Sequence, residues 1–173
     1  DLDTAVGSIA DNTTTTAAGD TAADPAGDLS GTWSVDSETG EFDFESATGT
    51  FAGFRIEEEL VQIGATTAVG RTGDVSGTVQ IDGTTVTAAD IEVDMTTITT
   101  DNSRRNSKVQ QALDTDQFPT ATFSLTEPID LGEGAADGDQ VSVTATGDLT
   151  IHGITKSVQI PMEAQLVDGT VVT

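Results

Sequence analysis

A chain of 173 residues suits one domain with a real core once any tail is set aside, and it carries 30 acids against six Lys and Arg for a formal charge of −24. A surface of that sign repels phosphate backbones and anionic lipid surfaces, which argues against nucleic-acid binding and electrostatic membrane docking and favours cations or neutral ligands. Cysteine is absent, removing disulfides, cysteine nucleophiles and thiolate metal sites together.

Residues 1–29, "DLDTAVGSIADNTTTTAAGDTAADPAGDL", are of low complexity, acidic and free of aromatic residues, a composition that does not fold alone. They are expected to be a flexible linker, either a spacer to a membrane or wall anchor or a plain disordered terminus, with the folded domain over 30–173. From Gly31 short alternating segments follow: Trp33 with Val35, Phe42 with Phe44, Phe54 with Ile56, then Val75, Val79 and Ile81, interrupted by Gly77. Asp82-Gly83 signals a hairpin turn. Ala89, Ile91, Val93 and Met95 alternate without fault against Asp90, Glu92 and Asp94, so the acids face water and the apolar set faces inward.

Ser103 to Leu113, "SRRNSKVQQAL", breaks the period of two. Val109, Ala112 and Leu113 stand at helical spacing behind Ser103 as N-cap, which predicts a short helix. Phe118-Pro119 ends it, and Ala121, Phe123 and Leu125 resume a strand. Residues 130–140 read as a loop, and Val141, Val143 and Ala145 lead into "GDLTIHGITKSVQIP", two alternating arms joined at His152-Gly153. Asp168-Gly169 is a further turn, after which only Thr170 to Thr173 remain. The pattern predicts an all-β domain, an antiparallel sheet closed or nearly closed into a barrel with one short helix, whose C-terminal closing strands are expected to be absent from the chain, disordered or supplied by another chain.

Residues able to carry chemistry are few. His152, the sole histidine, lies in a turn and reads as a solvated turn residue; without thiols it is a poor metal nucleus, and no Gly-x-Ser-x-Gly elbow accompanies it. Asp137-Gly138-Asp139 and Glu57 to Glu59 lack the ligand spacing of an EF-hand and read as solvated charge. No metal, cofactor or catalytic group is expected. Arg105, with Arg104, either closes over a barrel mouth onto a polar headgroup or pairs with Asp101 or Asp114 on the surface. Trp33, Phe42, Phe44, Phe54, Met95, Ile98, Phe118 and Phe123 are candidates to line an apolar interior or, alternatively, to fill an ordinary core. Small inward residues such as Gly77, Ala89 and Ala121 favour a cavity.

Four segments in order resemble the YceI-like family: "GTWSVDSETGEFDF", "VDMTTITTDNSRRNSKVQQAL", "FPTATF" and "GDLTIHGITKSVQIP". The chain departs from the family pattern where Asn106, not Asp, follows Arg105. The resemblance implies a lipocalin-like β-barrel outside the cytoplasm that binds a polyisoprenoid or related lipid without catalysis. A module of the cell surface with a filled barrel, associating with itself through an edge strand or its acidic surface, is the alternative from a different class.

Overall fold

The computed structural model describes residues 28–40, 42, 48–60 and 64–173. The strands are β1 (Gly31–Ser34), β2 (Ala52–Leu60), β3 (Gly64–Thr72), β4 (Val75–Asp82), β5 (Thr85–Asp94) and β6 (Thr99–Thr100). The helix α1 (Ser103–Leu113) follows, then β7 (Thr120–Leu125), β8 (Ile129–Asp130), a 3-10 turn at Glu133–Asp137, β9 (Val141–Ile151), β10 (Ile154–Val167) and β11 (Thr170–Val172). An antiparallel sheet runs β1–β4–β5–β7–β9–β10–β11, with β8 added beside β5, and β2–β3–β6 form a second, three-stranded sheet. The main sheet curls as a half-barrel with one helix, a lipocalin-like arrangement.

Strict alternation decides the faces. Register places Trp33 opposite Val79, Val79 opposite Ala89, Ile91 opposite Phe123, Phe123 opposite Leu149, and Ile160 opposite Ala145. Asp90, Ser124 and Asp148 pair on the other face, where Ser124 Oγ donates to Asp90 at 2.7 Å. One face is thus apolar across the sheet and the other polar and acidic.

The core sits at one end of the apolar face. Leu29, Ile81, Val86 and Ala135 are buried together, with Trp33, Leu125, Ile129, Val141 and Leu166 packed against them. Of the expected linker, residues 1–27 lie outside the described residues, whereas its last residue, Leu29, is buried in this cluster and its carbonyl accepts from Trp33 Nε1 at 3.0 Å. The folded unit therefore includes Leu29. The stretch 130–140, expected as loop, supplies the 3-10 turn that inserts Ala135.

Two expectations are corrected in detail. Asn102, not Ser103, caps α1: its side chain accepts from Arg104 N, and Ser103 is the first helical residue. The turn after β4 is centred on Gly83-Thr84, since Asp82 pairs with Thr85. Beyond Asp168-Gly169 a short return strand does form, with Val167 paired to Thr170 and Leu166 to Val171.

Candidate functional site

The sequence-predicted lining residues separate into distinct environments. Phe123 is half-buried on the apolar face between Ile91 and Leu149, and its ring lies over Gly147. A Cβ at Gly147 would stand 2.4 Å from Phe123 Cζ and 2.5 Å from the Ser124 carbonyl, so glycine is what lets the ring lie flat on the sheet. Trp33 is half-buried against the filled end. Met95 is half-buried just past β5 and donates its N–H to the Pro119 carbonyl at 2.8 Å.

Ile98, Phe54 and Phe118 serve packing. Ile98 is 1% exposed and closed to a ligand. Phe54 lies on Gly70, its cross-strand partner in the three-stranded sheet. Phe42 is 40% exposed and rests on Gly73, so its expected interior position is corrected. Phe118 packs under the β9–β10 turn, its ring 4.9 Å from that of His152 and in contact with Gly153. Phe44 lies outside the described residues.

Arg105 forms an ion pair with Asp101 at 2.7 Å, one helical turn away on the surface. The surface reading of this arginine is the one its geometry supports. Asn106 instead fastens the helix: its side-chain oxygen accepts from Thr100 N at 2.8 Å and Thr100 Oγ1 at 2.7 Å. His152 ties the other end of α1 to the main sheet, with Nδ1 2.7 Å from the Leu113 carbonyl. The ring nitrogen is the donor there, since a carbonyl only accepts. His152 and Gly153 both have positive φ, 54° and 69°, as a type I′ hairpin turn requires.

The rest of the apolar face is aliphatic, so aromatic residues do not mark it. Ile91, Val93, Val143, Leu149, Val158, Ile160 and Met162 all project there and remain half-exposed, while Ile151 and Ile154, paired at the open end, are 37% and 57% exposed. Their period of two is the signal that finds them. Gly77 adds space: its φ is 155°, and a Cβ there would lie 2.3 Å from the Asp90 carbonyl, so both backbone and neighbour require glycine. A hollow of about 240 Å³ is lined by Gly77, Ile91 and Phe123 together with Asp90, Glu92, Thr122 and Ser124 of the polar face. It is smaller than an ordinary ligand pocket of roughly 300–1,000 Å³, so the open face, not this hollow, is the larger site.

Two carboxyls held below the ordinary aspartate range flank β1, away from this face. Asp28 is lowered by hydrogen bonds from Ser30, and Asp36 chiefly by its side-chain bond to Thr39, which outweighs the opposing effect of burial, with further lowering from the Glu38 and Thr39 N–H groups. Among the described residues, no group of three or more His, Asp or Glu is arranged to hold a metal ion, and no helix is long and apolar enough to cross a membrane.

This combination, an antiparallel sheet curled around a partly open apolar face with a helix strapped to one end, defines a lipocalin-like fold. The family model of the YceI-like domain matches residues 33–173, and the chain belongs to that family. It is similar to a YceI protein of Shigella flexneri, 31% identical over 121 residues, which cover 68% of this chain and 56% of the relative. A UPF0312 protein of Shewanella baltica is 32% identical over 113 residues, covering 63% of this chain and 56% of that protein. The chain thus spans about half the length of the curated relatives it matches. A polyisoprenoid-binding domain from Saccharophagus degradans shares the fold with a TM-score of 0.52 at 17% identity, over 70% of this chain and 66% of that one.

Proposed function

We propose that this chain binds and carries or sequesters a long apolar amphiphile, an isoprenoid or related lipid, laid along the apolar face of the main sheet, and that it does so outside the cytoplasm without catalysis. One observation carries the reading: an apolar face on which the described residues bury Leu29, Ile81 and Val86 at one end and Val75 and Ala121 at the other, and leave Ile91, Phe123, Leu149, Val158, Ile160 and Met162 half-exposed. A folded domain in water seldom leaves such a surface without a use. The polyisoprenoid-binding character of the Saccharophagus domain and membership of the YceI-like family support the ligand class.

The energetics suffice without a reactive group. Each buried CH2 contributes about 0.8 kcal/mol, so about ten buried carbons supply ~8 kcal/mol before association and ordering costs of several kcal/mol. The test is native mass spectrometry of the purified protein, joined to organic extraction and to titration with a long-chain prenol. A stoichiometric adduct that extraction removes and prenol restores is expected. Protein that emerges empty and takes up no prenol or acyl amphiphile would overturn the reading.

A further inference from the structure

Charge is distributed over the main sheet with one exception. Acids belong to the polar face, where Asp90, Glu92 and Asp148 project. On the apolar face, among the described residues of this sheet, one charged side chain stands: Lys156. It pairs with Leu149, the neighbour of Phe123, and its own strand places Ile154 and Val158 on either side of it on the same face. In a chain with 30 acids and two lysines, the one charge admitted to the apolar face is a cation. Lys156 is exposed and has no ion pair among the described residues.

Its position along the strand is that of a head, not of a midpoint. Lys156 sits near the open end, next to the exposed pair Ile151 and Ile154. From there Val158, Ile160 and Met162 lead on one face toward Leu166 and the filled core, a track of about 20 Å from residue 156 to residue 162 at roughly 3.3 Å per residue. A lysine stem can lie on such a surface while its ammonium stays in water at the rim, where it meets a ligand head at contact distance.

We propose that the apolar face takes a single-chain amphiphile with an anionic head, a carboxylate or a phosphate, held at Lys156 with its chain running along Val158, Ile160 and Met162. This rests on the binding reading above and names the ligand class of the same site. The net charge of −24 opposes an anion at long range, but that field reaches only about 8 Å at physiological ionic strength, and the sheet carboxylates Asp90, Glu92 and Asp148 project from the opposite face.

The experiment measures displacement of the neutral dye Nile red at physiological salt by palmitate, hexadecyl phosphate and hexadecanol, each below its micellar concentration, on the full chain. An exposed pair formed with the head corresponds to about five-fold in affinity. Either anion should therefore bind about five-fold more tightly than the alcohol, and the stronger anion identifies the head as carboxylate or phosphate. Lys156→Met should abolish that preference, bringing both anions to the affinity of hexadecanol for the same variant, whereas Lys156→Arg should keep it; circular dichroism checks that both variants fold. Equal binding of anions and alcohol by the unaltered chain, or a preference that survives in Lys156→Met, overturns the proposal while leaving apolar binding intact. Failure of all three compounds to displace the dye overturns both.

Discussion

Replacing Leu29 by Ala tests the division of the apolar face into a filled end and an open one. Leu29 is 4% exposed and packs with Ile81, Val86 and Ala135, and the Trp33 indole donates to its carbonyl. Buried Leu→Ala substitutions cost 2–5 kcal/mol, and a site closed on several sides collapses poorly, so about 3 kcal/mol is expected. For a domain of this size each kcal/mol moves Tm by about 2–4 °C, giving a fall of about 6–12 °C. Thermal melts followed by circular dichroism and by emission of Trp33, the single tryptophan, read it out, with ligand affinity at a temperature where both forms are folded unchanged. A fall below about 2 °C would show that Leu29 is not core and that the folded unit begins after it.

Phe123→Ala should behave in the opposite sense: half-burial limits the loss of stability to about 1–2 kcal/mol, while dye or prenol binding weakens several-fold in a fluorescence titration. Gly147→Val should prevent folding or lower Tm by far more than Phe123→Ala, because its Cβ meets the Phe123 ring and the Ser124 carbonyl; a normal melt would contradict the register. His152→Asn keeps a residue that tolerates positive φ but removes the ring from Phe118 and the bond to Leu113. It should cost about 1–2 kcal/mol and speed amide exchange at the end of α1, and unchanged exchange there would refute the tie. Asp36 has a folded pKa below its unfolded one, so its contribution is present above the ordinary aspartate value and is lost as pH falls through the depressed one. Asp36→Asn should therefore flatten the acid limb of the stability curve relative to the parent chain, measured by urea unfolding between neutral pH and pH about 3.

Much of this architecture is legible in single residues. The fault-free alternation from Ala89 to Val93 lies in β5, the non-alternating run Ser103 to Leu113 became α1, and His152-Gly153 turned the longest hairpin. The strand β3 did not announce itself, because "GATTAVGRT" offers small residues whose inward and outward sets differ little in hydropathy. Ala135 entered the core from a stretch of glycines and acids, a burial imposed by tertiary packing that no local pattern encodes. Aromatic content alone does not mark the proposed site. Phe42 and Phe54 lie over Gly73 and Gly70, where a missing side chain leaves room for a ring, while the aliphatic residues of β9 and β10 line the open face. Arg105 took Asp101, four residues back in the chain, as the i, i+4 spacing allows.

The central claim, that the half-exposed apolar face is where a lipid lies, is tested most directly by methyl NMR. With Ile, Leu and Val methyls labelled, titration with a long-chain amphiphile should shift Ile91, Leu149, Val158 and Ile160 in a saturable manner while Leu29, Ile81 and Val86 stay in place. Saturable shifts confined to the filled end, or to residues off this face, would contradict the account.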